Sequence, residues 1–112
     1  MKEIKNFYFN DEIQLQDLGN GISRKILAYD DNMMIVEVNF EAGAIGTPHQ
    51  HYHEQITYVL EGEFEFTING VAKIVKSGDS MYKEPNVLHG AVCLKKGRLL
   101  DIFTPHREDF IK

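Results

Sequence analysis

An all-β single domain is the fold class this sequence predicts, and three observations predict it. Short segments that alternate apolar and polar side chains recur from about residue 13 to about residue 104, the period-2 signature of half-buried strands. Nine glycines punctuate them at short intervals, which suits an up-and-down sandwich or barrel. Almost nothing repeats at helical spacing. The 112 residues are enough for one apolar core and too few for two domains of ordinary size.

Taken in order, residues 1–12 form an N-terminal strand or arm whose Phe7, Tyr8 and Phe9 suit a swapped or interfacial strand, and a homodimer is expected on that ground. Eight or nine strands follow. The clearest unit is a hairpin, in which Glu63–Ile68 and Val71–Val75 flank Asn69-Gly70. Asn-Gly supplies the two positive-φ residues of a type I′ turn, with Phe64, Phe66 and Ile68 on one face and Glu63, Glu65 and Thr67 on the other. Gly78-Asp79-Ser80 opens a turn into another strand, and Pro85 leads to His89. At residues 105–112 a short C-terminal turn is expected, capped by Thr104 with Pro105 at its first position.

Composition narrows the function. Twelve basic against seventeen acidic residues give a net charge of -5, so no broad cationic face exists to release counterions from nucleic acid. Cys93 is the only cysteine, which rules out an internal disulfide and fits a reducing compartment. No stretch has the length or apolarity of a membrane span or a signal peptide. A cytoplasmic protein without nucleic-acid or membrane partners is expected.

The concentrated chemistry lies in Pro48-His49-Gln50-His51-Tyr52-His53-Glu54-Gln55, which holds three of the five histidines. Read as a strand, it turns His49, His51, His53 and Gln55 to one side and Gln50, Tyr52 and Glu54 to the other. Neutral imidazoles at alternate positions suit a borderline divalent metal, and His89 can close the site from a neighbouring strand. A lone strand histidine is more often hydrogen-bonded packing; three together, with an amide and a distant fourth, favour the metal. The expected ligands are His49, His51, Gln55 and His89. His53 is balanced between ligand and a supporting or substrate-facing place, Glu54 reaches the metal only through a bulge, and His106 is expected at the surface.

These residues resemble the cupin superfamily. Its first motif corresponds to Gly43 or Gly46, His49-x-His51, Gln55 and Gly62, and its second to Gly78, Pro85 and His89. The chain departs from the pattern where Gln55 replaces the usual glutamate, in lacking a glycine between the proline and the histidine, and in ending the second motif at Cys93. The resemblance implies a double-stranded β-helix, or jelly-roll barrel. From about Arg24 to Phe110 the sequence is similar to the small uronate-linearising cupins of pectin degradation, through His49–Gln55, Tyr58–Gly62 and the tail Asp101–Phe110. That similarity implies ring opening of 4,5-unsaturated monouronates to linear keto sugar acids, a small anionic sugar-acid substrate, and roles for Asp101, Phe103 and Arg107.

The residue chemistry agrees. Three imidazoles and a neutral amide leave the full divalent charge on the ion, favouring an anionic substrate. Asp101 and Phe103 share one face of the last strand, so a carboxylate stands beside an aromatic wall. Arg107 carries a planar fork for a carboxylate; without the resemblance, an ion pair with Glu108 or Asp109 is the simpler reading. Arg24, on an early strand, is another candidate carboxylate contact, but nothing in the sequence gives its direction. The donor set accepts zinc, nickel, iron or manganese. Three histidines with an open position also suit an oxygen-using cupin such as a dioxygenase, and the fold also serves non-catalytic sugar-acid binders.

Overall fold

A computed structural model describes residues 3–111, and its strands carry most of the chain. A 3-10 turn at Asn10–Glu12 precedes β1 (Gln16–Gly19), β2 (Ile22–Asp30), β3 (Met33–Phe40), β4 (Ile45–His49), β5 (Glu54–Ile68), β6 (Val71–Lys76), β7 (Ser80–Lys83) and β8 (His89–Thr104), with a second 3-10 turn at Glu108–Phe110. The eight strands form one sheet, ordered β1-β2-β3-β8-β5-β6, with β4 on β8 and β7 on β5. The sheet folds over itself as a jelly-roll sandwich and does not close into a barrel.

Two long strands organise it. β5 and β8 pair antiparallel from Glu54↔Thr104 to Ile68↔His89. Each also spans both halves of the sandwich. The first part of β5 pairs β7 and the second pairs β6; the first part of β8 pairs β4 and the second pairs β3. Strict up-and-down order therefore holds only locally, in β1-β2-β3 and in the β5-β6 hairpin, because pairing the long apolar strands β5 and β8 buries more than neighbouring hairpins alone.

The long pair needs a break where the sheet folds over. Its register shifts between Val59 and Phe64, around Gly62 at φ +88°. A side chain there would meet the Lys96 carbonyl oxygen at 2.5 Å and the Gly97 Cα at 2.6 Å, so only glycine lets the two backbones approach this closely.

The hairpin forms as the alternation predicts: Ile68 faces Val71, and Asn69 and Gly70 take φ of 50° and 80°. Phe64 and Phe66 are buried while Glu65 and Thr67 are exposed. Phe64 meets Phe40 edge to face at 5.2 Å, within one core cluster that includes Val59, Cys93 and Leu99. A second cluster joins Met34, Val36 and Phe103. Fully burying side chains of this size contributes about 1.5–3 kcal/mol each.

Two expectations are corrected. Residues 49–55 are not one strand: β4 stops at His49 and β5 starts at Glu54, because the chain turns the corner from one half of the sandwich to the other. Of the strand or arm expected at the N-terminus, Phe7-Tyr8-Phe9 takes the form of an arm, held where the Tyr8 hydroxyl donates to the Tyr29 carbonyl; Phe7 stacks on Phe9 at 6.1 Å and both rings are exposed. The final turn starts at Glu108 rather than Pro105, and no side chain caps it. Among the described residues no helix is long and apolar enough to cross a membrane.

Candidate metal centre and pocket

His49 ends β4 and His89 opens β8, and the two are register partners. Their rings lie 4.5 Å apart. His51, in the corner between β4 and β5, brings its ring within 5.6 Å of His49 and 5.1 Å of His89. One ring nitrogen from each of the three lies within 4.8 Å of the others.

The other nitrogen of each ring is committed to backbone. Nδ1 of His49 donates to the Thr47 carbonyl at 2.9 Å, that of His51 to His53 at 3.1 Å, and that of His89 to Val87 at 2.9 Å. These bonds place the proton on Nδ1 and leave the Nε2 lone pairs free. The His89 Nε2 is buried with no hydrogen-bond partner, an arrangement that costs free energy unless something electropositive meets it. Burial lowers the His89 pKa to about 4, opposed by the Val87 bond and reinforced by Lys83, His49 and His51. Burial, then Arg107, lowers that of His51. Both rings are neutral near pH 7, the form a metal requires.

Gln55 completes the set. In β5 it is buried, while Glu54 on the opposite face is exposed and tied to the Tyr82 hydroxyl and to Thr104 Oγ1. Strand alternation therefore holds from residue 54 to Val59, and no bulge turns Glu54 inward. Gln55 Oε1 sits 3.0 Å from His51 Nε2. With the His51 proton on Nδ1, two lone pairs face each other at that distance, as they do around a shared cation. Three imidazoles and an amide oxygen fit one borderline divalent ion.

His53 stands outside this group. It is buried and stacked on Tyr52 at 4.0 Å, and its Nε2 lies 3.5 Å from the Glu108 carboxylate. Its ring stays 5.3 Å from that of His51, but with the strand broken at residue 50 its nitrogens do not join those of the other three. His106 lies apart as well, its Nδ1 donating to the Asp31 carbonyl at 2.9 Å.

His49 and His89 open onto a cavity of about 180 Å³, small beside the 300–1,000 Å³ of pockets for drug-sized ligands and suited to a single small ring. Phe103, Phe66 and Phe110 give it aromatic walls; Asp101, Lys83, Arg24 and Arg107 give it charge. Asp101 and Phe103 both face inward, as their shared parity predicts. Arg107 packs over Phe110 at 4.2 Å and Phe103 at 5.0 Å, and its Nε and Nη2 also grip Asp109 at 3.1 and 2.9 Å. Two of its five N–H groups are thus used, and the rest remain for an anion. Those bonds from Arg107 are the main reason the Asp109 pKa is lowered.

Three further contributors appear, of which the sequence offers only Arg24, without its direction. Arg24 on β2 lies over Phe110 at 3.8 Å and lines the same cavity, its pKa lowered by burial and then by Arg107. Thr57 is buried two residues past Gln55, on the same face, where continued alternation was the available signal. Lys83 at the end of β7 is only 2% exposed; lysines are almost never buried unpaired, and a two-way alternation in a four-residue strand carries little weight against that rule.

Residues 36–103 match the cupin domain family. The chain is 44% identical over 110 residues to the pectin degradation protein KdgF of Dickeya dadantii (strain 3937), covering 96% of this chain and all of that one. An RmlC-like cupin from Shewanella frigidimarina superposes with a TM-score of 0.92 at 42% identity, covering 98% of this chain and 99% of that one. KdgF from Halomonas sp. superposes with a TM-score of 0.90 at 40% identity, over 96% and 99% respectively. A histidine triad gathered from two paired strands and the corner beside them, a glutamine next to it and similarity along nearly the whole length lead to one conclusion: the chain belongs to the cupin family.

Proposed function

We propose that this protein opens the ring of 4,5-unsaturated monouronates released in pectin or alginate breakdown, giving linear keto sugar acids. The observation that carries the reading is one small cavity lined by His49 and His89 of the three-imidazole cluster, by Asp101 and by Arg107. The similarity to KdgF proteins supports the choice of substrate.

The reaction is an isomerisation. The hemiacetal hydroxyl on C1 loses its proton, the bond from C1 to the ring oxygen breaks, and C1 becomes an aldehyde. The electron pair stays on the former ring oxygen as an enolate at C5; protonation at C4 converts this to the ketone. His49, His51, Gln55 and His89 would hold a divalent ion, which when bound would supply Lewis acidity toward the substrate's oxygens. Asp101 takes the hydroxyl proton and returns it to C4, so no atom is gained or lost. Arg107, with Arg24 beside it, holds the substrate carboxylate. Phe103 walls the ring and excludes water.

A homodimer belongs to the same reading, supported by the arm that leaves Phe7 72% and Phe9 57% exposed. The experiment is spectroscopic: the double bond conjugated to the carboxylate absorbs in the ultraviolet, and its loss reports ketone formation. Metal-replete protein should speed that loss on lyase products and chelator-treated protein should not. An unchanged rate with metal-replete protein rejects the proposal.

A further inference from the structure

Beneath the histidines lies a chain of polar side chains, two of which, Lys83 and Thr57, the ring-opening chemistry does not itself call for. Lys83 Nζ reaches Thr57 Oγ1 at 2.7 Å, Gln55 Nε2 reaches the same oxygen at 3.1 Å, and that hydroxyl reaches Asp101 Oδ1 at 2.6 Å. Lys83 and Thr57 are among the most deeply buried side chains of the protein. Lys83 also lies over the Phe66 ring, 4.7 Å from its centroid.

Counting donors gives this chain a direction. A lysine ammonium only donates, and a hydroxyl has one proton and two lone pairs. Thr57 therefore accepts from Lys83, and its single proton goes to the Asp101 carboxylate, which cannot donate. The remaining lone pair accepts only a donor, so Gln55 must present its NH₂ group to Thr57. Its carbonyl oxygen then faces His51 Nε2. Turning the amide over would set its oxygen against a hydroxyl with no proton to give, and would point an N–H at the place where the three Nε2 lone pairs meet.

We propose that Lys83 and Thr57 are positioning residues which, through one saturated hydroxyl, hold the Gln55 carbonyl oxygen toward the metal-binding histidines and hold Asp101 in place. A glutamate at position 55 would need no such device, because either carboxylate oxygen faces the ion equally well. A glutamine has one correct face, and the buried lysine selects it. The role of Asp101 rests on the uronate reading; the orientation of Gln55 does not.

The test separates the two. Zinc affinity of metal-stripped protein is measured by competition with a chromophoric chelator for Thr57→Val, Thr57→Ser and Lys83→Met, in the native background and with Gln55→Glu. Thr57→Val should weaken zinc binding about 10–100-fold, the range for supporting partners of metal ligands, and Thr57→Ser should restore it. In the Gln55→Glu background the Thr57→Val penalty should shrink to less than about 3-fold. Lys83→Met should show the same dependence on position 55 with a smaller loss, and decides the question if Thr57→Val does not fold. Equal penalties in both backgrounds, native zinc affinity in both Thr57→Val and Lys83→Met, or no zinc binding by the native protein would each overturn the proposal. Uronate turnover is followed separately, with kcat expected to fall in Thr57→Val at a nearly unchanged KM; absence of turnover in native protein would reject the substrate while leaving the zinc comparison decisive.

Discussion

At the scale of single residues, the site works by committing one end of each side chain so that the other end is aimed. Each imidazole gives its Nδ1 proton to a backbone carbonyl two residues away, so strand and corner geometry decide where Nε2 points. Asp101 is held by Thr57 at one oxygen and keeps lone pairs for a substrate proton. Asp101→Asn preserves the shape and that bond but removes the base; turnover should fall about 10²–10⁴-fold with zinc content unchanged, measured by the ultraviolet assay and by metal analysis. Histidine burial has a pH signature. Unfolded His89 takes up a proton near pH 6.5, whereas the folded ring resists until about 4. The unfolded state therefore binds more protons in that window, and the stability of metal-free protein should fall as pH drops from about 6.5 to about 4. Urea unfolding at stepped pH should show this slope, flattened in His89→Gln.

At the scale of elements, the corner between β4 and β5 and the fold-over between β5 and β8 set the site. The ligand types and their spacing were legible in the sequence because histidines concentrate at 49, 51 and 53 and a proline turn leads to His89. The place of His53 was not. Alternation over residues 49–55 assumes a continuous strand, and the break at residue 50 is what sends His53 to Glu108 instead of the centre. Alternation did succeed inside true strands, separating Gln55 from Glu54 and placing Asp101 beside Phe103. Lys83 was illegible because its burial depends on Thr57 and Phe66, which arrive from another strand. Gly62 belongs to this scale too. A Cβ there collides with backbone at 2.5 Å in a left-handed conformation, so Gly62→Ala should destabilise by about 2–4 kcal/mol. A lower denaturant midpoint at unchanged slope would show it; native stability would mean the two strands separate more easily than their packing suggests.

At the scale of the whole molecule, the order β1-β2-β3-β8-β5-β6 gathers ligands from residues 49 to 89 and charged groups from residues 24 to 107 around one cavity. Short-range patterns reveal the strand class and the hairpin, but this long-range pairing is legible only through family resemblance, because period-2 patterns carry no record of which strand lies beside which. The N-terminal arm is the part whose surroundings a lone chain does not satisfy. Sedimentation equilibrium at micromolar protein should give twice the chain mass, and Phe7→Ser with Phe9→Ser should shift it toward the monomer. A native monomer would leave the arm without a role in assembly.

The account stands on a metal-dependent ring opening in the cavity beside His49, His51, Gln55 and His89. The most direct measurement is a proton NMR time course of a 4,5-unsaturated monouronate with metal-replete protein. The vinylic C4 signal should disappear many-fold faster than in buffer while signals of the linear keto acid rise, and chelation should abolish the difference. A vinylic signal that decays at the buffer rate in the presence of fully metallated protein would contradict it.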